Sequence, residues 1–160
     1  MYRSLCLALL LSVAGCAKPP FAEFVQMGTP EVVLELRLAT VTPRDGATPV
    51  AVHGAQPHTI YLSPVVEFTN ADVVRTRVVI RKSEDGSSSV AEVHLSRDAA
   101  ARMAQLTRDH QDEMMAILLD GKLVKAPTIR SVITDRFTVS GGDMSHDEAV
   151  TLARNLAGLK

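Results

Sequence analysis

Aromatic residues are scarce in this chain. Its 160 residues include no tryptophan, two tyrosines and four phenylalanines. Proteins that hold sugars or single-stranded nucleic acid stack these ligands on aromatic side chains, so both classes are disfavoured. Charge is nearly balanced as well, with 17 lysines and arginines against 18 aspartates and glutamates. A nucleic-acid-binding domain carries a basic stripe, so we expect no nucleic-acid partner.

Cysteine is nearly absent. Cys6 and Cys16 are the only two, and both lie within the first sixteen residues. The rest of the chain therefore has no disulfide and must be stabilised by its core. The histidines have no metal-site spacing, so no metal or cofactor is expected. No nucleophile, base and orienting group occur together, which disfavours an enzyme.

The first sixteen residues form a distinct segment. Arg3 supplies a positive charge, residues 5–11 are an apolar run, and small residues then lead to Cys16. This order is typical of a secretory signal peptide. The apolar run is well short of the ~20 residues that cross a bilayer. The string Val-Ala-Gly-Cys at 13–16 resembles the lipobox of bacterial lipoproteins, in which the cysteine carries lipid. An ordinary cysteine in a conventional cleavage region is the alternative.

The lipobox resemblance divides the chain into three parts. Residues 1–15 are a lipoprotein signal peptide, residues 16–30 a lipidated tether and residues 31–160 the folded domain. This division implies a location in the cell envelope on the periplasmic side, with Cys16 anchoring the protein to a membrane. In Gram-negative lipoproteins, the lack of an aspartate after the cysteine favours the outer membrane over the inner. Here Ala17 follows the cysteine.

Apolar alternation and β-branched runs predict several strands in the folded domain. They lie at residues 32–39, 59–62, 77–81, 90–95, 115–119, 122–124, 129–133 and 136–140. A loop is predicted at 42–57 and a turn at 84–89. Asp120-Gly121 predicts a type I′ hairpin turn. Pro127 places the following strand at a sheet edge or a bulge.

Capping signals predict three helices. Thr69 and Asp72 begin a short one, Ser96 begins a long one, and Ser145 with Glu148 forms a capping box for the last. The apolar face of the long helix is predicted to contain Ala99, Met103, Leu106, His110 and Met114. The methionines either fill the core or form an adaptable apolar surface. The fold class is therefore α+β, an antiparallel or mixed sheet with β-hairpins, packed by one long and one or two shorter helices.

Several strings in this order resemble the head subdomain of the first periplasmic domain of SecD. SecD is the proton-driven accessory subunit of the bacterial Sec translocase. The resemblance extends over about residues 34–160. It is carried by Leu36-Arg37-Leu38-Ala39, Tyr61-Leu62, Phe68-Thr69-Asn70-Ala71-Asp72-Val73, Leu106-Thr107, the run from Ile117 to Ile129, Ser140-Gly141-Gly142 and Asp147-Glu148-Ala149.

The resemblance implies a role in the cell envelope without catalysis. The family-motif positions are Asn70, Asp72, Asp120, Gly121, Pro127 and Gly141, for which capping, turn and edge roles are also sufficient reasons. The membrane helices and the base subdomain of SecD are not expected in this chain. The implied protein is a binding or accessory one, linked to protein export or envelope maintenance, with Sec translocase components or exported polypeptides as partners. The alternative is a docking module that recruits another envelope protein and has no role in translocation.

Overall fold

The computed structural model describes residues 23–25, 28–52, 57–83, 86–140 and 144–159. The predictions for residues 1–15, Cys16 and Gly141 fall outside the described residues. The strands are β1 (Glu23–Val25), β2 (Leu34–Thr40), β3 (Thr48–Val52), β4 (His58–Leu62), β5 (Phe68–Thr69), β6 (Val73–Ser83), β7 (Gly86–Leu95), β8 (Met114–Leu119), β9 (Lys122–Lys125) and β10 (Arg136–Val139). A 3₁₀ helix spans Asn70–Asp72, and the α-helices are α1 (Arg97–Asp109) and α2 (His146–Ala157).

The strands form two sheets. Sheet A has the order β1-β6-β7-β10, and sheet B has the order β3-β4-β2-β8-β9, with β5 also paired to β2. All pairings between these strands are antiparallel. The α+β class, built from antiparallel hairpins and packed by helices, is confirmed. Within the described ranges, no helix is both long enough and apolar enough to cross a bilayer.

The main core lies between the two sheets and the helices. Leu36 on β2 and its partner Ile117 on β8 share one face of sheet B, because side chains alternate along a strand. Val93 from sheet A and Met103 from α1 are buried in the same cluster. Burial of an apolar side chain of this size stabilises the fold by about 1.5–3 kcal/mol.

Helix α2 covers the outer half of sheet A. Its alanines Ala149 and Ala153 pack against Val78 and Ala91, and all four are fully buried. Small side chains allow the helix to approach the sheet closely. The buried hydroxyl of Thr76 donates a hydrogen bond of 2.6 Å to the carbonyl of Ala153, so the polar group that faces the helix is satisfied.

The segment that enters the domain contacts the end of α2. Sequence analysis placed residues 16–30 in the tether, whereas residues 23–25 form β1 and pair with β6. The amide of Glu31 donates to the carbonyl of Asn155 at 3.1 Å. Gly158, which ends α2 with φ +71°, touches the backbone of Gly28. The two ends of the folded part therefore meet.

The local turn and capping predictions are confirmed. Asp120 and Gly121 both have positive φ, +50° and +72°, as a type I′ turn requires. Ser145 forms the predicted capping box with Glu148, and Thr69 forms a second one with Asp72. These features depend on residues three or fewer positions apart.

The predicted extent of the long helix is wrong at its C-terminal end. Helix α1 ends at Asp109, and Met114 begins β8. Asp112 has φ +66°, which interrupts the helix. Residues 114–119 instead pair with β2 over six positions. Backbone pairing with a buried strand outweighs a helical spacing that a sequence pattern also fits.

Residues 129–133 do not form the predicted strand. Backbone pairing with the chain before β8 stops at Ile129, whose amide donates to the carbonyl of Glu113 at 2.8 Å. Beyond it, the amide of Ile133 donates to the hydroxyl of Thr107 on α1 at 3.0 Å. This segment therefore leaves sheet B and crosses to the helix.

Two other boundaries also differ from the predictions. The predicted loop 42–57 contains β3, which pairs with β4. Residues 86–89 of the predicted turn belong to β7 and pair with β6. Gly and Pro in the first segment and the serines in the second suggested irregular backbone. Pairing with a neighbouring strand overrides those weak local preferences.

Candidate functional site

A cleft of about 370 Å³ opens between sheet A, sheet B and α1. Ligand pockets in proteins occupy roughly 300–1,000 Å³, so the cleft is of modest size. The apolar side chains of Leu36 and Met103 lie under its floor, where both are fully buried. The lining consists of Leu36, Glu92, Met103, Met115, Ile117, Pro127, Ile133, Arg136, Phe137 and Thr138.

The segment between β9 and β10 forms one wall of the cleft. The amide of Met115 donates to the carbonyl of Pro127 at 3.0 Å. The buried hydroxyl of Thr107 accepts from the amide of Ile133 and donates to the carbonyl of Met103 at 2.7 Å. Sequence reasoning gave Thr107 no role of its own. The sequence feature that could have indicated this role is the position of a threonine on the apolar face of the predicted helix.

A cluster of charged side chains lies beside the cleft on the strands of the β6–β7 hairpin. Arg77 Nε donates to Glu92 Oε1 at 2.6 Å, and His94 Nε2 lies 2.8 Å from the same oxygen. Arg75 Nη2 lies 3.3 Å from His94 Nδ1. Sequence reasoning missed this cluster. The alternation Arg75-x-Arg77 opposite Glu92-x-His94 on a predicted hairpin was the signal that pointed to it.

Glu92 is held as a carboxylate by this cluster. Its side chain is only 12% exposed, and this desolvation by itself raises the pKa. Hydrogen bonds from Arg77 and His94, together with their charge, act in the opposite direction and prevail. The pKa of Glu92 is therefore lowered from its ordinary value.

The mouth of the cleft carries an arginine, which an aspartate precedes in the chain. Arg136 is exposed and stands opposite His94 in the β10–β7 register. Its guanidinium makes no hydrogen bond and no ion pair with any residue that the structure describes. The pKa of the neighbouring Asp135 is lowered by a hydrogen bond from its own backbone, by the Thr134 hydroxyl and by the charge of Arg136. The carboxylate of Asp135 is thus ionised and locally satisfied.

The described residues contain no group of three or more histidine, cysteine, aspartate or glutamate side chains that could hold a metal ion. His110 ends α1 and lies 3.4 Å from Glu113, away from the residues that line the cleft. His94 belongs to the charged cluster, and His146 lies 3.4 Å from the hydroxyl of Ser89. The site is an apolar depression with charged groups of both signs at its side and a positive charge at its mouth.

The sequence matches the family described as the SecDF P1 head subdomain over residues 46–158. That match covers more than half of the chain. The chain belongs to the SecDF P1 head family. Among curated proteins, none matches it.

Solved structures of SecDF share the fold of this head domain. One is described as a membrane component that enhances protein export, with a TM-score of 0.61 at 22% identity. Another is SecDF in a super-membrane-facing form, with a TM-score of 0.62 at 22% identity. Each alignment covers 82% of this chain, but only 64% of the first structure and 19% of the second. At this identity, the likeness concerns the fold.

Three of the predicted motif positions in this SecDF head hold the backbone at the start of β2. Asn70 accepts a hydrogen bond from the amide of Leu34 at 2.8 Å and donates one to the carbonyl of Val32 at 3.0 Å. Asp120 accepts from the amide of Val33 at 2.9 Å. Gly121 completes the turn that presents Asp120. The structure gives these motif residues architectural roles.

The two remaining described motif positions lie apart from one another. Asp72 accepts from the amide of Thr69 at 2.9 Å and forms an ion pair with Arg102, whose guanidinium stacks 5.0 Å from the ring centre of Phe68. Pro127 is exposed at the rim of the cleft. Of the predicted positions, Pro127 alone lines the cleft within the described part of the chain.

Asn70→Ala should lower the free energy of unfolding by about 1.5–3 kcal/mol, because it leaves the amide of buried Leu34 without its acceptor. Urea unfolding followed by circular dichroism measures the loss. Asn70→Asp retains the acceptor for Leu34 but turns a carboxylate oxygen toward the carbonyl of Val32, so its loss should be smaller only at acid pH, where a protonated carboxyl can donate. Equal stability of the alanine variant and the natural protein would contradict this role.

Proposed function

We propose that this chain is a lipid-anchored, non-catalytic accessory protein of protein export on the periplasmic side of the envelope. Its cleft receives apolar side chains of exported polypeptides. The observation that carries the proposal is the apolar cleft in a domain of the SecDF P1 head family. A solved structure with the same fold is described as a membrane component that enhances protein export, which supports a role in export.

The chemistry of the cleft suits an unfolded client. Exported polypeptides in transit expose apolar side chains that are buried after folding. Pro127, Ile133 and Phe137 are the apolar lining residues that keep exposed surface. Met103 and Met115 also line the cleft, but both are at most 3% exposed and fill the main core. An apolar side chain of a client would therefore contact the first three residues and remove their surface from water.

The proposed anchor at Cys16 keeps the cleft close to a membrane. From residue 16 to the start of β1 at Glu23, an extended chain spans at most roughly 25 Å. The outer membrane is the favoured location. Intact mass spectrometry tests the anchor: we expect acyl mass on the natural protein and none on Cys16→Ser, and an unacylated natural protein would contradict it.

Photo-crosslinking in cells tests the proposed role. A photoreactive amino acid replaces Pro127 or Ile133, which both line the cleft. In the full-length protein, these positions should capture newly exported polypeptides or Sec subunits. Arg108, exposed on α1 and not part of the cleft lining, is the matched control position.

The outcomes separate the proposal from its alternative. Capture of many exported chains at the rim, and few at Arg108, supports a client-binding head. Repeated capture of one other envelope protein supports the docking module instead. Capture of neither class at Pro127 or Ile133 contradicts a role for the cleft in export.

A further inference from the structure

We propose that the cleft selects polypeptide segments in which a bulky apolar side chain lies next to an acidic one. This inference rests on the proposed function and names its substrate class. The apolar side chain would occupy the floor, and the carboxylate would meet the arginine at the mouth. Exported segments with a basic residue beside the apolar one would bind less tightly.

Glu92 does not recruit a basic side chain. Its oxygen Oε1 is shared by Arg77 at 2.6 Å and His94 at 2.8 Å, and the side chain is nearly buried. A ligand cation would have to displace an arginine already in place. Among the described residues of the lining, Glu92 is the single carboxylate, and it is neutralised from within the protein.

The charged cluster beside the cleft is not acidic on balance. Its two guanidinium groups, Arg75 and Arg77, stand against the single carboxylate of Glu92, and His94 lies between them, 3.3 Å from Arg75 and 2.8 Å from Glu92. These four side chains together therefore carry at least one net positive charge.

Arg136 adds an exposed positive charge at the mouth. The carboxylate of Asp135 offsets one charge, but it is held by its own backbone and by Thr134. The four side chains of the cluster, Asp135 and Arg136 together therefore keep at least one net positive charge. Arg136 is the cation in the lining that has no hydrogen-bond partner among the described residues. A carboxylate on the ligand is the complementary group.

A polypeptide fits the cleft better than a lipid tail with a carboxylate. A sphere of 370 Å³ is roughly 9 Å across. An acyl chain that fills one leaflet of a ~30 Å hydrocarbon core is about 15 Å long. The floor is closed by buried Leu36 and Met103, so the depth suits a side chain.

Because the protein has no tryptophan, a tryptophan in a test peptide reports only the environment of the peptide. Three peptides carry one tryptophan flanked by glutamate, glutamine or lysine and are otherwise identical. With the purified full-length chain, we expect a blue-shifted emission for each. The glutamate peptide should bind about three- to tenfold more tightly than the lysine peptide. The difference should shrink at 1 M salt.

Substitution of the mouth arginine tests the origin of this preference. Arg136→Gln should bring the glutamate and lysine peptides to within about twofold of each other, with the glutamine peptide unaffected. Arg136→Lys should keep most of the preference. Arg97→Gln removes an exposed charge from α1 outside the lining and should change none of the three affinities.

Each failure has a distinct meaning. Equal affinity of the natural protein for the three peptides would overturn the charge preference and leave the proposed function standing. No blue shift with any peptide would overturn both. Binding of dodecanoate with no binding of the glutamate peptide would show that the cleft takes a lipid and would overturn the peptide class.

Discussion

Gly158→Ala should destabilise the domain by about 2–4 kcal/mol in urea unfolding. Gly158 has φ +71°, where a side chain costs about 1–2 kcal/mol. A Cβ there would also lie 2.6 Å from the carbonyl of Gly28 and 2.8 Å from the backbone of Thr29. Backbone atoms cannot relieve a clash by changing rotamer as a side chain can, so the segment that contains Gly28 and Thr29 would have to move.

Two other glycines separate these contributions. Gly46 has φ +75° with open space around it, so Gly46→Ala measures the conformational cost alone. Gly28 has an ordinary φ, but its Cβ would collide with the carbonyl oxygen of Gly158, so Gly28→Ala measures the collision alone. The Gly46→Ala loss should be smaller than that of Gly158→Ala, whereas the Gly28→Ala loss should exceed that of Gly46→Ala, because its Cβ would meet backbone at very close range. A Gly158→Ala loss no greater than that of Gly46→Ala would mean that the close contact is not formed.

The glycine contact is one of two attachments of the chain that leads into the domain. It fixes residues 28–31 against the end of α2, while β1 fixes residues 23–25 to sheet A. Loss of the glycine contact should therefore free residues 28–31 without releasing β1.

Local chemistry explains which elements could be predicted. The Asp120-Gly121 turn and the Ser145 capping box each depend on a few adjacent residues, and both are confirmed. The end of α1 could not be placed, because its last predicted residue, Met114, satisfies a helical spacing and a strand partner equally. Its partner on β2 is Ala39, and nothing near Met114 in the sequence reveals that pairing.

The site shows the same division between local and distant contacts. Asn70 was singled out as a motif position, but its actual partners are Val32 and Leu34, more than thirty residues away. The cleft joins Leu36, Met103 and Phe137 from separate elements. No local pattern specifies which of the many apolar residues will leave space between them.

Glu92→Gln should lower the free energy of unfolding at neutral pH by about 2 kcal/mol, because Arg77 and His94 lose a charged partner near the core. The pKa of Glu92 is lower in the folded protein than its ordinary value of about 4.5. Its contribution is therefore complete above that value and is lost as the pH falls through the lower, folded pKa. The difference in stability between the natural protein and Glu92→Gln should shrink between pH 5 and pH 3. Equal differences at the two pH values would contradict the cluster.

Glu148→Gln is the matched control for this pH dependence. The pKa of Glu148 is also lowered, by hydrogen bonds from the backbone and hydroxyl of Ser145, but the side chain is exposed and far from the cleft lining. Both variants should lose acid-dependent stability, but only Glu92→Gln changes the charge beside the cleft. Removal of the Glu92 carboxylate from the cleft lining should increase the preference for the glutamate peptide over the lysine peptide. A variant that is less stable yet more selective is not explained by partial unfolding, so this pair of measurements links the charged cluster to ligand choice.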